Sequence, residues 1–246
     1  MNSWIQHSCD LYKISIIAGE TGVAEVEYTQ ARTTATRASL MHAMEKLCAQ
    51  KGVESVTVKA VIEEAGQKNE SALQYHFKNR AGLISAIHKA RMDQTQIKRR
   101  ELLTESLATN SEPSVRELCE LLVRPTFLLC RSDGGYRQWI KAFGLKNASV
   151  RHPMVEEDVL EGSTSVQMIA NLLKEHLLNL DKHMFEDRYL TVVRFSGMSM
   201  ANHAREKNAF LGSGSEVFFS NLVDLLTGIF TAEVSTQTRS ALRKVK

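Results

Sequence analysis

Over residues 37–51 the apolar residues Leu40, Met41, Ala43, Met44, Leu47 and Cys48 recur at three- and four-residue steps. That period predicts a helix with one buried stripe. Gly52 supplies a residue that can end it. After the connector Val53 to Val56, Thr57 is placed to cap a second helix through its hydroxyl, and Val58, Val61, Ile62 and Ala65 make that helix's inward face. Gly66 stops it, because a residue without Cβ enters a sharp turn at low cost. A third helix starting near Asn69 or Glu70 turns Ala72, Leu73 and Phe77 to the core. It leaves Lys68, Ser71, Gln74 and Tyr75 outward, with His76 nearby.

The same period predicts a long helix over residues 82–106, on Leu83, Ile84, Ala86, Ile87, Ala90, Ile97 and Leu102. Residues 109–114, with Asn110 and Pro113, form a natural break. Val115, Leu118, Cys119, Leu121 and Leu122 begin the next helix, which Pro125 is expected to kink or interrupt before Phe127. Further helices are expected over residues 136–143, 154–160, 163–180, 185–207 and 216–230, with Gly212-Ser213-Gly214 separating the last two. Residues 1–31 show no clean period. They are expected to be a poorly ordered extension, or the product of a start codon placed too early. The basic tail from Ser235 is expected to fray.

Composition narrows the class to all-α. Of 246 residues 43% are hydrophobic and 24% charged, with only 3 Pro, which is ordinary globular composition. Every apolar run is interrupted by charge before it reaches the length of a membrane span. The first residues lack a basic segment followed by an apolar one, so no secretory signal is expected and the cytoplasm is the expected location. Cys9, Cys48, Cys119 and Cys130 form no C-x-x-C pair and suit buried thiols. The formal net charge is +3, but its distribution is more informative. Cations outnumber acids roughly two to one between Arg32 and Arg100 and balance them beyond, which places a polyanion-facing field around the second and third helices.

Two short helices about a tight turn are the form in which a helix is offered to the major groove, with base edges met by the first half of the second helix and phosphates by groups around it. Gln74 suits a bidentate pair with adenine. Tyr75, His76 and Lys78 suit phosphate oxygens. Arg32 and Arg37 form either an arm along the duplex or a solvated flank. Lys98-Arg99-Arg100 either continues the DNA-facing field or, as the foremost reading, is a solvated helix face.

In this order and spacing, Thr57-Val58, Ala65-Gly66, Ser71-Ala72-Leu73-Gln74-Tyr75-His76-Phe77, Lys78-Asn79-Arg80 and Leu83 resemble the DNA-binding domain of TetR-like (tetracycline-repressor-like) transcriptional regulators. The resemblance spans roughly a fifth of the chain. It implies an all-α protein with an N-terminal three-helix helix-turn-helix domain and a larger C-terminal helical ligand-binding and dimerisation domain. The expected division is an extension at 1–31, the head at 32–86, the body at 87–234 and the tail at 235–246. Thr57, Lys59, Tyr75, His76 and Lys78 are then expected on phosphate, and positions from Lys68 to Gln74, including Asn69 and Ser71, near bases, with Arg37 at the flank. The chain departs from the family pattern in three places. The turn after Gly66 is longer by about one residue, Ile62 replaces a small residue where the helices cross, and Ala81 replaces an acid, leaving Asn79 to cap the next helix.

The resemblance further implies a homodimer through the last two helices, residues 188–207 and 216–230, and release of operator DNA by a small apolar or amphipathic effector. Phe127, Trp139, Phe143, Met168 and Met198 are the expected lining of that effector's site, as adaptable apolar walls. No cofactor, metal or membrane partner is expected. Gly197-Met198-Ser199-Met200-Ala201 resembles a nucleophile elbow only in letters, since an elbow follows a strand. His152 with Glu156, Glu157 and Asp158 fits no zinc spacing, and His176 and His183 share a face only if one helix carries both. Two other classes remain open: a helical protein-interaction module without DNA readout, and a helical enzyme.

Overall fold

Side-chain caps set many of the helix starts. Thr57 Oγ1 accepts from the Ala60 N–H at 3.2 Å, and Asn79 Oδ1 accepts from Gly82 N at 2.9 Å. Ser114 and Glu117 form a reciprocal capping box. Thr164 and Asp181 cap two later helices through Gln167 N and Met184 N. The computed structural model describes residues 20–149 and 164–245. The helices are α1 (Glu20–Lys51), α2 (Val58–Glu64), α3 (Ser71–Phe77), α4 (Arg80–Thr109), α5 (Val115–Ser132), α6 (Gly134–Ser149), α7 (Ser165–His176), α8 (Lys182–His203), α9 (Gly212–Thr231) and α10 (Thr236–Val245). A 3-10 turn at Val53–Ser55 joins α1 to α2. No strand occurs among the described residues, and no single described helix is long and apolar enough to cross a membrane.

Several boundaries differ from those expected. Helix α1 begins at Glu20, so part of the supposed extension is helical. Its Glu, Ala, Gln and Arg content favours helix without an apolar period to announce it. Residues 1–19 lie outside the described residues, as do Cys9, the helix expected at 154–160, and His152 with its acidic neighbours. Pro125 does not interrupt α5. It removes one N–H, which would have met the Leu121 carbonyl, but Leu118, Cys119, Val123, Phe127 and Cys130 are buried on either side and hold both halves in one helix. The turn between α8 and α9 falls at residues 204–211, where Asn208 and Phe210 have φ of 61° and 63°, while the glycine run opens α9. The tail is helical as α10. Helix α7 stops at His176, which places His183 on a different helix. Helix α4 runs unbroken across the boundary expected at residue 86, so one helix belongs to both head and body.

The head packs α2 and α3 on the stripe of α1, where Leu40, Ala43, Met44 and Leu47 bury Val61, Ile62, Leu73 and Phe77. Helix α1 also lies on α6, and α6 lies along α8. Cys48, Cys119 and Cys130 are buried thiols. Burial pushes Cys48 and Cys119 up to about 11, which keeps them protonated and unreactive.

A buried ion cluster ties these layers together. Arg91 on α4 meets Glu45 on α1 through two parallel bonds, Nε to Oε1 at 2.7 Å and Nη2 to Oε2 at 2.8 Å, and Asp133 before α6 through Nη1 at 2.8 Å. Asp133 also accepts from Gly135 N at 2.8 Å. A Cβ at Gly135 would lie 2.7 Å from Arg91 Nη2, so the glycine makes room for the guanidinium. Burial pushes the Glu45 carboxyl above its usual range against the pull of Arg91. Burial also works against the Arg91 charge, but Glu45 and Asp133 outweigh it and raise its pKa. Replacing Arg91 with Ala strands a buried carboxylate. The expected loss is about 3–5 kcal/mol in urea unfolding, with the double variant Glu45→Leu, Arg91→Met losing less than the single one.

Next to this cluster, Trp139 Nε1–H on α6 donates to His88 Nδ1 on α4 at 3.2 Å, and Phe143 meets the same imidazole edge-on. Burial, with a smaller contribution from Lys146, holds His88 below the ordinary histidine value. The folded protein therefore prefers neutral His88. The stability this gives is present above the unfolded value of about 6.5 and is lost as pH falls below it. Urea midpoints should drop between about pH 7.5 and about pH 5.5, and His88→Gln should flatten that drop.

Candidate nucleic-acid interface

Helix α2, a turn and α3 present the surface in question. Gly66 turns the chain with φ 64°, and Gln67 N–H reaches back to the Ile62 carbonyl at 2.9 Å. Ser39 Oγ on α1 donates to the Ala65 carbonyl at 3.0 Å, which fixes the turn against the head. Ile62 is buried where the helices meet, so the larger side chain is accommodated at the crossing. On α3, Leu73 and Phe77 are buried, while Ser71, Gln74 and Tyr75 are exposed, Tyr75 at 81%. With Lys78 they fall at positions i, i+3, i+4 and i+7, one stripe of a helix surface.

Each expected contact residue has a definite setting. Thr57 accepts a backbone N–H, which leaves its own hydroxyl proton free to donate. Lys59 in the first turn of α2 and Lys68 in the turn are exposed. Asn69 and Ser71 bond to each other through Oδ1 and Oγ, and Asn69 Oδ1 also accepts from Ser71 N at 3.1 Å. The Asn69 carbonyl oxygen is thus spent on starting α3. Lys78 leaves α3 with φ 67°, and its N–H closes the helix on the Gln74 carbonyl at 3.0 Å. His76 is half-buried. Burial, and then the Arg37 charge, lower its pKa, so near neutral pH it offers one N–H rather than a cation.

Arg37 belongs to α1 rather than to a loose arm. Its Nη1 donates to the His76 carbonyl at 3.2 Å, and its guanidinium lies 4.5 Å from the Phe77 ring centroid. It pins the end of α3 to α1. The sequence reading missed Arg80 as a supporting group. Its Nε donates to the Val56 carbonyl at 3.1 Å and its Nη2 to the Val53 carbonyl, holding the 3-10 turn that leads into the Thr57 cap. Backbone carbonyls leave no trace in a residue pattern, so only the position of Arg80 beside the Asn79 cap hinted at this.

The five residues expected to line an effector site are distributed. Phe127 on α5 packs on Phe219 and Phe210 at centroid distances of 4.6 and 5.8 Å. Trp139 and Phe143 on α6 share His88. Met168 and Met198 are 38% and 47% exposed and face outward. Gly197 to Ala201 lies within α8, with no strand before it.

At the corner between α8 and α9, Ser215 Oγ lies 3.1 Å from His203 Nε2, whose Nδ1 is 2.8 Å from Glu206 Oε2. The outline is that of a nucleophile, base and acid, yet Phe210 N–H already donates to Nε2 at 3.3 Å and Ser215 Oγ donates to the Leu211 carbonyl at 3.2 Å. His203 and Ser215 are both buried. The trio closes a corner whose backbone is held at positive φ. Among the described residues no cluster of three or more His, Cys, Asp or Glu is placed to hold a metal ion.

Residues 40–87 match the family model described as bacterial regulatory proteins, tetR family. The fold is similar to the crystal structure of a protein from Rhodococcus sp. assigned to the TetR-family transcriptional regulators. The TM-score is 0.50 at 17% identity, over 78% of this chain and 98% of that one. No curated protein matches the sequence. The matched residues carry the helix-turn-helix, and the likeness of fold runs on into the helices beyond it.

Proposed function

We propose that the chain is a ligand-released repressor that binds an operator in double-stranded DNA as a homodimer and catalyses no reaction. The observation that carries this reading is the α3 stripe of Ser71, Gln74, Tyr75 and Lys78, solvent-facing on a helix anchored from behind by Leu73 and Phe77. Gln74 reads a base edge. Thr57, Lys59, Tyr75 and Lys78 hold phosphates, Lys68 lies at the groove edge, and His76 adds a neutral donor. Arg37 and Asn69 serve by fixing the two ends of α3.

Pairing supports the same reading. A major-groove reader of this kind gains a second half-site by two-fold symmetry, with heads about 34 Å apart or a multiple of that. Helix α9 keeps Val217 at 69% and Leu225 at 47% exposed, and α8 keeps Met198 at 47%. Apolar side chains exposed on two adjacent helices suit burial against their mates in a four-helix contact. A small apolar or amphipathic effector in the body favours a dimer state whose heads are wrongly spaced, and α4 carries the change because it belongs to both parts. The shift is as large as the effector's differential affinity for the two states.

Footprinting should first locate the operator. Lys78→Ala should then weaken binding to every duplex and reduce the slope of log affinity against log salt by about 1. Gln74→Ala should instead relax preference at one base pair by about 1–3 kcal/mol. Uniform losses at all base pairs from Gln74→Ala would remove it from base reading, and weak binding without salt dependence would overturn the function.

A further inference from the structure

Arg99 lies two turns along α4 from Arg91 and on the same buried face, with Thr95 between them. Arg91 has Glu45 and Asp133. Among the described residues Arg99 has no carboxylate at all. Its Nη1 reaches Gln96 Oε1 at 3.4 Å and its Nη2 the Leu122 carbonyl at 3.3 Å, both long and both to neutral acceptors. Its Nε is buried with no partner. A guanidinium does not give up its proton in a protein interior, and an isolated buried charge costs far more than a buried polar group.

The surroundings share this polarity. The Tyr189 hydroxyl on α8, within electrostatic reach of Arg99, is also buried without a hydrogen-bond partner. Tyr136 on α6 is a second neighbour, but its hydroxyl is taken by Thr95 Oγ1 at 2.6 Å. Gln96 is held by Ser165 Oγ from α7 at 2.9 Å. Apolar groups flank these donors. Phe185 stacks with Tyr189 at 6.0 Å between centroids, Phe230 lies 6.3 Å from Tyr189, and Leu103 and Val192 are buried one turn from Arg99 and Tyr189.

We propose that Arg99 and the Tyr189 hydroxyl are the anion-binding end of an effector site in the body, and that the effector is a small carboxylate on an apolar frame. A planar guanidinium with spare N–H groups matches a carboxylate. One cation surrounded by neutral groups suits a monoanion better than a phosphate dianion. The proposal rests on the ligand-release reading for its consequence. Occupation of Arg99 acts on the helix that also carries the Glu45 clasp, and so on the head.

The test uses the full chain and four probes, octanoate and benzoate with the neutral octanamide and benzamide, read by titration calorimetry and by release of the DNA complex. At least one carboxylate should bind the wild type about tenfold to a hundredfold more tightly than its amide, and Arg99→Gln should remove that preference. Tyr189→Phe should lose a smaller part of it. The melting temperature of Arg99→Gln should not fall below wild type, since the substitution removes an uncompensated buried charge. The proposal is overturned if neither carboxylate binds, if the amides bind as well, or if Arg99→Gln keeps the preference. Carboxylate binding that leaves the DNA complex intact would uphold the site and sink ligand release. Release by an amide alone would do the reverse.

Discussion

The architecture depends on one buried ion cluster. Arg91 holds Glu45 of α1 by two parallel bonds and Asp133 at the start of α6 by a third. Surface pairs such as Lys89–Asp93 and Lys98–Glu101 sit in solvent and contribute about 0–1 kcal/mol. The Arg91 cluster differs because Glu45 is 2% exposed. Desolvation offsets much of its attraction, so its main effect is geometric. A bidentate pair inside the protein tolerates one relative placement of α1 and α4, and a shifted placement leaves charges without partners.

That placement reaches the exposed stripe of α3 in two steps. Helix α1 carries the apolar stripe on which Val61, Ile62, Leu73 and Phe77 rest, and it carries Arg37, which grips the last turn of α3. Helix α4 carries Arg80 and follows the Asn79 cap, which together hold the opposite side of the head. The exposed stripe of α3 is therefore oriented from both flanks by long helices that are themselves locked together. A helix of two turns, as α3 is, gains little from its own hydrogen bonds. Its orientation comes from this frame.

Local features were legible in the sequence, and distant pairings were not. The Thr57 and Asn79 caps, the stop at Gly66 and the inward set Leu73 and Phe77 follow from a few adjacent residues, and the structure has each of them. Pro125 shows where a local rule loses, because burial on both sides outweighs one missing bond. Arg91 and Arg99 looked like ordinary members of a basic segment, since nothing nearby in the chain announces Glu45, Asp133 or Tyr189. Arg99 in particular was read with Lys98 and Arg100 as a solvated face, yet it is 8% exposed while Arg100 is exposed. A helix turns 100° per residue, so neighbours in a charge run cannot all face the same way. Family likeness expects Asn69 and Ser71 near bases, and it does not announce the bond between them that starts α3.

The contrast between Arg91 and Arg99 bears on how a body can talk to a head. Both project from the same face of α4, one bonded to two carboxylates and the Gln94 amide, the other only to an amide and a carbonyl oxygen. Thr95 between them shares its hydroxyl with Tyr136, and the Arg91 guanidinium lies 5.6 Å from the centroid of the same Tyr136 ring. The two cations are therefore linked through contiguous packed groups on one helix and one facing tyrosine. Energetic coupling requires an element with two arrangements that both sites bias. Helix α4 is the element the two sites share, since any rotation that re-aims Arg99 also turns Arg91 relative to Glu45. A rotation of α4 also moves Arg80 and the Asn79 cap, which lie at its first turn beside α3. On the proposed reading, the same rigid frame that orients α3 would carry to it the effect of an anion placed two turns beyond the clasp.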